Sequence, residues 1–263
     1  MRLVLLQPQL SYLPEADNLA AVHQALAAAG IKSCAGDLVV LPERIFLSAD
    51  GEAYDQAAST MARALGCYLF AGSQHRKEGE RTVHRGVLAA PSGQLLGHYD
   101  KLRPYADERR FAQPGDHLGN FVIDGRRILV FICADFWFSD LVLASAQQPD
   151  LIVVPALSVS RKDSPEYSQK LWRHLCVSRA YELGTFVGVS DWAHNSELPM
   201  LRASGVGGFA DPTQIDADRL FAPLGSAVAQ RFALDFEALD AFRSDRRERG
   251  FFWKSGHQEP SAT

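Results

Sequence analysis

No apolar run in this chain is long enough to cross a bilayer. The opening residues Met1-Arg2-Leu3-Val4-Leu5-Leu6 start like an export signal. Gln7 and Pro8 end that run too early for export, so it reads as a first core strand. Cysteine is scarce. Cys34, Cys67, Cys133 and Cys176 show no metal-ligand spacing, and a chain of 263 residues needs no disulfide staples. Reduced thiols in a cytoplasm are expected. Charge of one sign is also scarce, with a net charge of -4 and a pI near 6.1, which argues against a polyanion-binding surface. Arg243, Arg246, Arg247 and Arg249 are interleaved with Asp245 and Glu248, and read as a solvated terminal helix rather than a nucleic-acid patch. His75, His84, His98 and His117 form no metal-ligand pattern. Neither a repeat nor a linker interrupts the chain. One domain over residues 1–254 is therefore expected, followed by a tail over 255–263 containing Gly256 and Pro260.

What the chain has is apolar residues, 47% of the total, enough for a sizeable core. Leu38 to Leu41, Ile128 to Ile132 and Leu151 to Val154 are apolar at every position, which predicts strands buried on both faces. Helices are predicted between them at Glu15 to Ala29, Asp55 to Leu65, Asp140 to Gln147 and Glu166 to Leu183. Pro14 and Gly30 bracket the first, and Ser139 can cap the third. Thr82 to Ala90 and Gln94 to Tyr99 flank the turn Pro91-Ser92-Gly93 and read as a hairpin. Further strands are expected at Gly205 to Ala210, Arg219 to Phe221 and Ala227 to Leu234. The sum is an α/β fold with two central mixed sheets packed face to face and flanked by helices, a four-layer αββα sandwich.

Three strand ends carry chemistry. Cys133 closes the run Ile128 to Ile132 just before a helical segment, where a thiol meets solvent and a helix dipole. Glu43 follows Leu41-Pro42, and Lys101 follows His98-Tyr99-Asp100. A base, a cation and a nucleophile so placed form a covalent-catalysis set. Gly205-Val206-Gly207-Gly208 lacks the strand-to-helix setting of a phosphate loop and reads as backbone crowding near the pocket. Arg161-Lys162-Asp163 and Asp191-Trp192-Ala193-His194 read as loops at its rim.

Pro42-Glu43, Tyr99-Asp100-Lys101-Leu102 and Phe131-Ile132-Cys133-Ala134-Asp135-Phe136-Trp137-Phe138-Ser139-Asp140 together resemble the three motifs of the nitrilase, or carbon–nitrogen hydrolase, superfamily. Glu108-Arg109-Arg110-Phe111 is similar to the segment that carries a second glutamate in that family, and the resemblance extends over nearly the whole chain. It implies the αββα fold, Cys133 as nucleophile, Glu43 as general base, Lys101 as electrostatic stabiliser and Glu108 as an orienting carboxylate. Asp135 takes a structural hydrogen-bonding role by the same resemblance. Ala134-Asp135 resembles the amidase and carbamoylase side rather than the nitrile-cleaving members, which place Trp-Glu there.

The activity so implied is hydrolysis of a non-peptide C–N bond through a covalent thioester, with no metal and no cofactor. Ala134, Phe136, Trp137 and Tyr105 are the expected substrate contacts. Members acting on acidic acyl groups carry arginine just after the cysteine; Phe136 and Trp137 stand there, so a substrate without a carboxylate at that end is expected. Two departures from the family pattern are His84, where asparagine is frequent, and Arg44, where many members have an apolar residue. The partner implied is a small amide, with no nucleic acid or membrane. A homodimer is implied too, with the helix bearing Leu171, Leu175 and Arg179 as its contact. Two rival readings share the motifs: an acyl-transferring enzyme using the same thioester, and a non-catalytic protein retaining the fold. The intact Glu43, Lys101 and Cys133 argue against the latter.

Overall fold

The all-apolar runs become strands because backbone hydrogen bonds between neighbours leave both faces free to bury side chains. A computed structural model of the chain describes residues 1–13, 16–160, 162, 164–199 and 201–254. Strands β1 (Arg2–Leu6), β2 (Asp37–Val40) and β3 (Tyr68–Phe70) run parallel, joined by helices α1 (Asn18–Ala28) and α2 (Gly51–Leu65). Strand β4 (Gln74–Glu78), β5 (Arg81–Ala89) and β6 (Leu95–Asp100) extend this sheet in antiparallel fashion. The second sheet holds β7 (Gly119–Ile123), β8 (Arg126–Val130) and, after helix α3 (Ser139–Leu143), β9 (Leu151–Pro155). A short β10 (Val159–Ser160) precedes helix α4 (Glu166–Leu183) and β11 (Phe186–Ser190). Strand β12 (Arg202–Ala203) pairs with β10, whereas β13 (Gly208–Ala210) and β14 (Phe221–Pro223) complete the second sheet. The chain then returns to the first sheet with β15 (Ala229–Ala233), antiparallel to β1, and finishes the described fold in helix α5 (Phe236–Glu248).

Side-chain alternation explains the layers. Leu3, Leu5, Leu38 and Val40 point into a core shared with Leu129, Val153 and Val189 of the second sheet. Their neighbours Val4, Leu6, Val39 and Leu41 point the other way, onto Val22 and Leu26 of α1 and Ala58 and Met61 of α2. The far face of the second sheet is covered by α4, through Trp172, Cys176 and Ala180, and by Leu239 of α5. The order is helix, sheet, sheet, helix, the expected four-layer sandwich with two mixed sheets. Gly188 marks a close approach between the sheets: a Cβ there would lie 2.5 Å from Leu3 Cδ2.

Several elements differ from expectation. Helix α1 starts at Asn18 with Asp17 as its cap; Pro14 and Glu15 lie outside the described residues. Helix α2 begins four residues early because the Asp50 side chain accepts from Ala53 N at 3.0 Å. Helix α3 is short, preceded by a 3₁₀ turn over Cys133–Trp137. Arg243 is not solvated: it is buried and donates to Asp150 Oδ1, Gly184 O and Pro149 O at 2.5–2.6 Å. The 3.6-residue period turns this one arginine of the cluster inward, where Asp150 meets it. Gly207 N donates to Gln7 Oε1 at 2.8 Å, so the glycine-rich stretch packs on Gln7 away from the cavity described below. Arg161, Asp163 and the tail over 255–263 lie outside the described residues.

Candidate active site

Glu43 is delivered by the extension of β2. Leu41 N still bonds Phe70 O at 2.9 Å, and the chain then turns at Pro42. Gly72, at φ +65°, packs behind that turn, where a Cβ would fall 2.1 Å from the Pro42 carbonyl oxygen. Glu43 itself is held on every side. Its N donates to Ala156 O at 3.2 Å, Trp192 Nε1 donates to its O at 2.7 Å, and Leu157 N donates to Oε2 at 2.9 Å. The carboxylate is buried, and Oε1 is left to face Lys101 Nζ at 2.8 Å.

Lys101 follows β6, with its N on His84 O at 2.8 Å. Its ammonium, 2% exposed, lies 2.8 Å from both Glu43 Oε1 and Glu108 Oε2. Burial alone would lower the lysine pKa, but the two carboxylates outweigh it and hold the group well above its ordinary value. Glu108 sits on the 3₁₀ turn Ala106–Arg110, where Tyr105 N donates to Oε2 at 3.0 Å. Its Oε1 accepts from His75 Nε2 at 2.8 Å and His84 Nδ1 at 2.7 Å. Burial would raise the Glu108 pKa; the two imidazoles and Lys101 drive it well below the carboxylate range. The bonding fixes the tautomers. His84 Nδ1 donates to the Glu108 carboxylate, so Nε2 of the neutral ring accepts from the Ser73 hydroxyl, whose oxygen also accepts from Arg44 N; the arginine side chain donates to His75 Nδ1. Burial pushes His84 down to about 4 and lowers His75 too.

Cys133 follows Phe131-Ile132 at the end of β8 and adopts φ +46°, a left-handed conformation unusual for a residue with a Cβ. The strained turn pivots the half-buried thiol out of the core, with Sγ 3.8 Å from Leu157 O. Burial first, and Glu43 second, push the thiol pKa up, with Lys101 opposing. Arg44 (φ +57°) and Ala106 (φ +50°) share the left-handed backbone, and all three line one cavity. Each such residue costs on the order of 1–3 kcal/mol, so strain is concentrated at this site. Asp135, fully buried, accepts from Tyr99 Oη at 2.6 Å, Leu102 N at 3.1 Å and Arg103 N at 2.8 Å. It thereby ties the lysine loop to the cysteine turn.

Glu43, Lys101, Glu108 and Cys133 all open on a cavity of about 700 Å³. Ala134, Trp137 and Tyr105 stand on its wall. Phe136 does not: it is fully buried, stacked on Trp172 with centroids 6.1 Å apart, so it belongs to the core rather than to a substrate contact. Asp191 and Trp192 are also fully buried instead of forming a rim loop. Asp191 accepts from Ser158 N and Val206 N at 2.9 Å, and burial raises its pKa to about 7. The meeting of two histidines is not visible in their positions along the chain. His75 and His84 are directly opposed on β4 and β5, and only the register reveals the pair. With Glu108 they bring three ligand atoms within 4.8 Å of one another. Each is already hydrogen-bonded, and a cation there would face Arg44 and Lys101, so the cluster acts as a hydrogen-bond anchor for Glu108.

A family model described as carbon–nitrogen hydrolase matches residues 3–211. No curated protein matches the chain significantly. Among solved structures, an amidase from Nesterenkonia sp. AN1 is 22% identical, with a TM-score of 0.71 over 95% of this chain and 99% of the other. A mutant of that amidase, carrying the acetamide moiety of fluoroacetamide on its active-site cysteine, gives the same identity and TM-score over 95% and 96%. XC1258 from Xanthomonas campestris, a CN-hydrolase superfamily protein with an arsenic adduct in its active site, is 22% identical. Its TM-score is 0.72, covering 95% of this chain and 94% of that one. These likenesses show the fold.

Proposed function

Because the chain belongs to the carbon–nitrogen hydrolase family, we propose that it cleaves a linear, non-peptide amide or carbamoyl-type C–N bond through a thioester on Cys133, releasing ammonia or an amine. The observation that carries this reading is the cavity itself, where a half-buried thiol meets a carboxylate–ammonium–carboxylate array. A thiol whose pKa is pushed up is protonated at neutral pH. Glu43 takes that proton as sulfur bonds to the carbonyl carbon. Negative charge then grows on the carbonyl oxygen, opposite the Lys101 ammonium and the Ala134 N–H; one such donor contributes about 3 kcal/mol to lowering a barrier. The C–N bond breaks and the amine departs with the proton from Glu43. Water, deprotonated by the same carboxylate, attacks the thioester; the C–S bond breaks and the thiol is restored. Glu108 holds Lys101 in place, and the carboxylate needs no proton of its own because two imidazole N–H groups saturate Oε1.

The covalent adducts on the active-site cysteine of the Nesterenkonia amidase support a nucleophilic role for Cys133. Four free cysteines fit a reducing cytoplasm. No helix among the described residues is long and apolar enough to cross a membrane. A homodimer joined along α4 completes the reading. The test is intact-mass spectrometry of the chain mixed with a panel of primary amides, with ammonia assayed in parallel. Acyl mass on the Cys133 peptide and ammonia release are expected, and Cys133→Ala should lower turnover by roughly three orders of magnitude or more. No adduct and no ammonia across the panel would refute the reading. Hydroxamate formation outpacing hydrolysis in hydroxylamine would favour acyl transfer instead.

A further inference from the structure

Arg44 follows the proposed base directly and lines the same cavity as Lys101 and Cys133. The partly buried guanidiniums elsewhere in the fold meet carboxylates: Arg243 meets Asp150, Arg85 meets Asp100 through two bonds, and Arg76 meets Asp55. Arg44 makes no ion pair among the described residues. Its side chain donates to two neutral acceptors, Tyr12 Oη and His75 Nδ1, and rests over the Tyr12 ring with 5.1 Å to the centroid. Its Nε is buried without a partner. The other carboxylates on the cavity are engaged: Glu43 and Glu108 hold Lys101, and Asp107 meets Arg110 at 3.5 Å. A positive charge kept at a cavity wall, with neutral supports and no internal counter-ion, is arranged for an anion that arrives with the ligand.

We propose that Arg44, braced by Tyr12 and His75, is an anion subsite of the active cavity, and that the substrate carries a carboxylate on its acyl group, remote from the scissile C–N bond. The proposal rests on the hydrolase reading above and deepens it. Phe136 and Trp137 follow Cys133 without an arginine, and the guanidinium that lines the cavity comes instead from the strand end that carries Glu43. Arg44 and Lys101 line one chamber as two cations, joined through His75 and Glu108 rather than in contact with each other. A monoamide of a short dicarboxylic acid carries an anion for one and a carbonyl for the other.

The test uses calorimetric binding of succinamate and of its neutral counterpart butyramide to the Cys133→Ala chain. Succinamate is expected to bind about tenfold tighter or more, since a guanidinium–carboxylate contact is a strong, charge-assisted one. Adding Arg44→Gln should erase that difference, whereas Arg44→Lys should keep part of it. Tyr12→Phe, which removes one brace, should reduce the preference and serves where Arg44→Gln does not fold. Equal binding of the two amides, or a preference that survives both Arg44→Gln and Tyr12→Phe, would overturn the subsite. Succinamate that binds at Arg44 but is never hydrolysed by the unmutated chain would count against the hydrolase reading alone. Hydrolysis of butyramide in preference to succinamate would count against the subsite alone.

Discussion

Single residues at this site are set by what surrounds them more than by their own chemistry. His84 is the clearest case. Burial pushes its pKa from 6.5 down to about 4, so the folded chain keeps it neutral, with Nδ1–H on Glu108. Between those two values the unfolded chain takes up a proton that the folded chain refuses. Its contribution is therefore complete above pH 6.5 and is lost as the pH falls to about 4, a change of about 3 kcal/mol. His75, lowered in the same direction, adds to the slope. Urea unfolding from pH 7 to pH 5 should show a falling midpoint, and His84→Asn, which keeps a donor toward Glu108 but does not titrate, should flatten it. An equally steep fall in the variant would exclude His84 as the source. Not every residue was legible beforehand. Cys133 stood out because an apolar run ends at it. Phe136 misled because the strand does not continue past Ile132: Cys133–Trp137 form a 3₁₀ turn, so successive side chains point in different directions. Ala134 and Trp137 therefore reach the cavity while Phe136 turns into the core. Arg243 misled for the same kind of reason, since alternating charges along a helix do not tell which side packs.

Between elements, Asp135 is the connector. It belongs to the cysteine turn, yet its acceptors serve Tyr99, Leu102 and Arg103 of the lysine loop. Two segments far apart along the chain are thus fixed to each other by one carboxylate, 0% exposed. Asp135→Ala would strand two backbone N–H groups and a tyrosine hydroxyl in the interior, at about 1–3 kcal/mol each. A loss of stability of about 3 kcal/mol or more is expected in urea melts, together with loss of turnover at permissive temperature as Lys101 drifts from Cys133. Retained stability and turnover would show that the loop is held by other means. The strands of the hairpin and helix α4 were visible in the pattern of the chain, because turn residues and period announce them. Strand β4, Gln74–Glu78, was not: its polar residues lack an apolar face, and only pairing with β5 makes it a strand. With β4 went the His75–His84 pair, so the anchor of Glu108 could not be foreseen.

At the scale of the molecule, the layers follow from the all-apolar runs, which need cover on both sides. The helix–sheet–sheet–helix order was readable from them, and the close approach of the layers at Gly188 against Leu3 was not, because it depends on how two separate sheets register. The outer face of α4 leaves Tyr167, Leu171 and Tyr181 exposed, while Leu175 packs on the core and Arg179 pairs with Glu182. The homodimer proposed along this helix predicts a sedimentation-equilibrium mass about twice the 28.9 kDa of one chain, and a single-chain mass at micromolar concentration would exclude it.

Among the described residues the first strand has the last one as its neighbour: β15 closes the edge that β1 leaves open. During synthesis the ribosome therefore releases β1 more than two hundred residues before its antiparallel partner exists. Until then the nascent sheet exposes a bare edge, a template for mispairing with other nascent chains. Faults that delay or truncate translation late in the message should therefore surface as insoluble protein rather than as a folded enzyme with a frayed end.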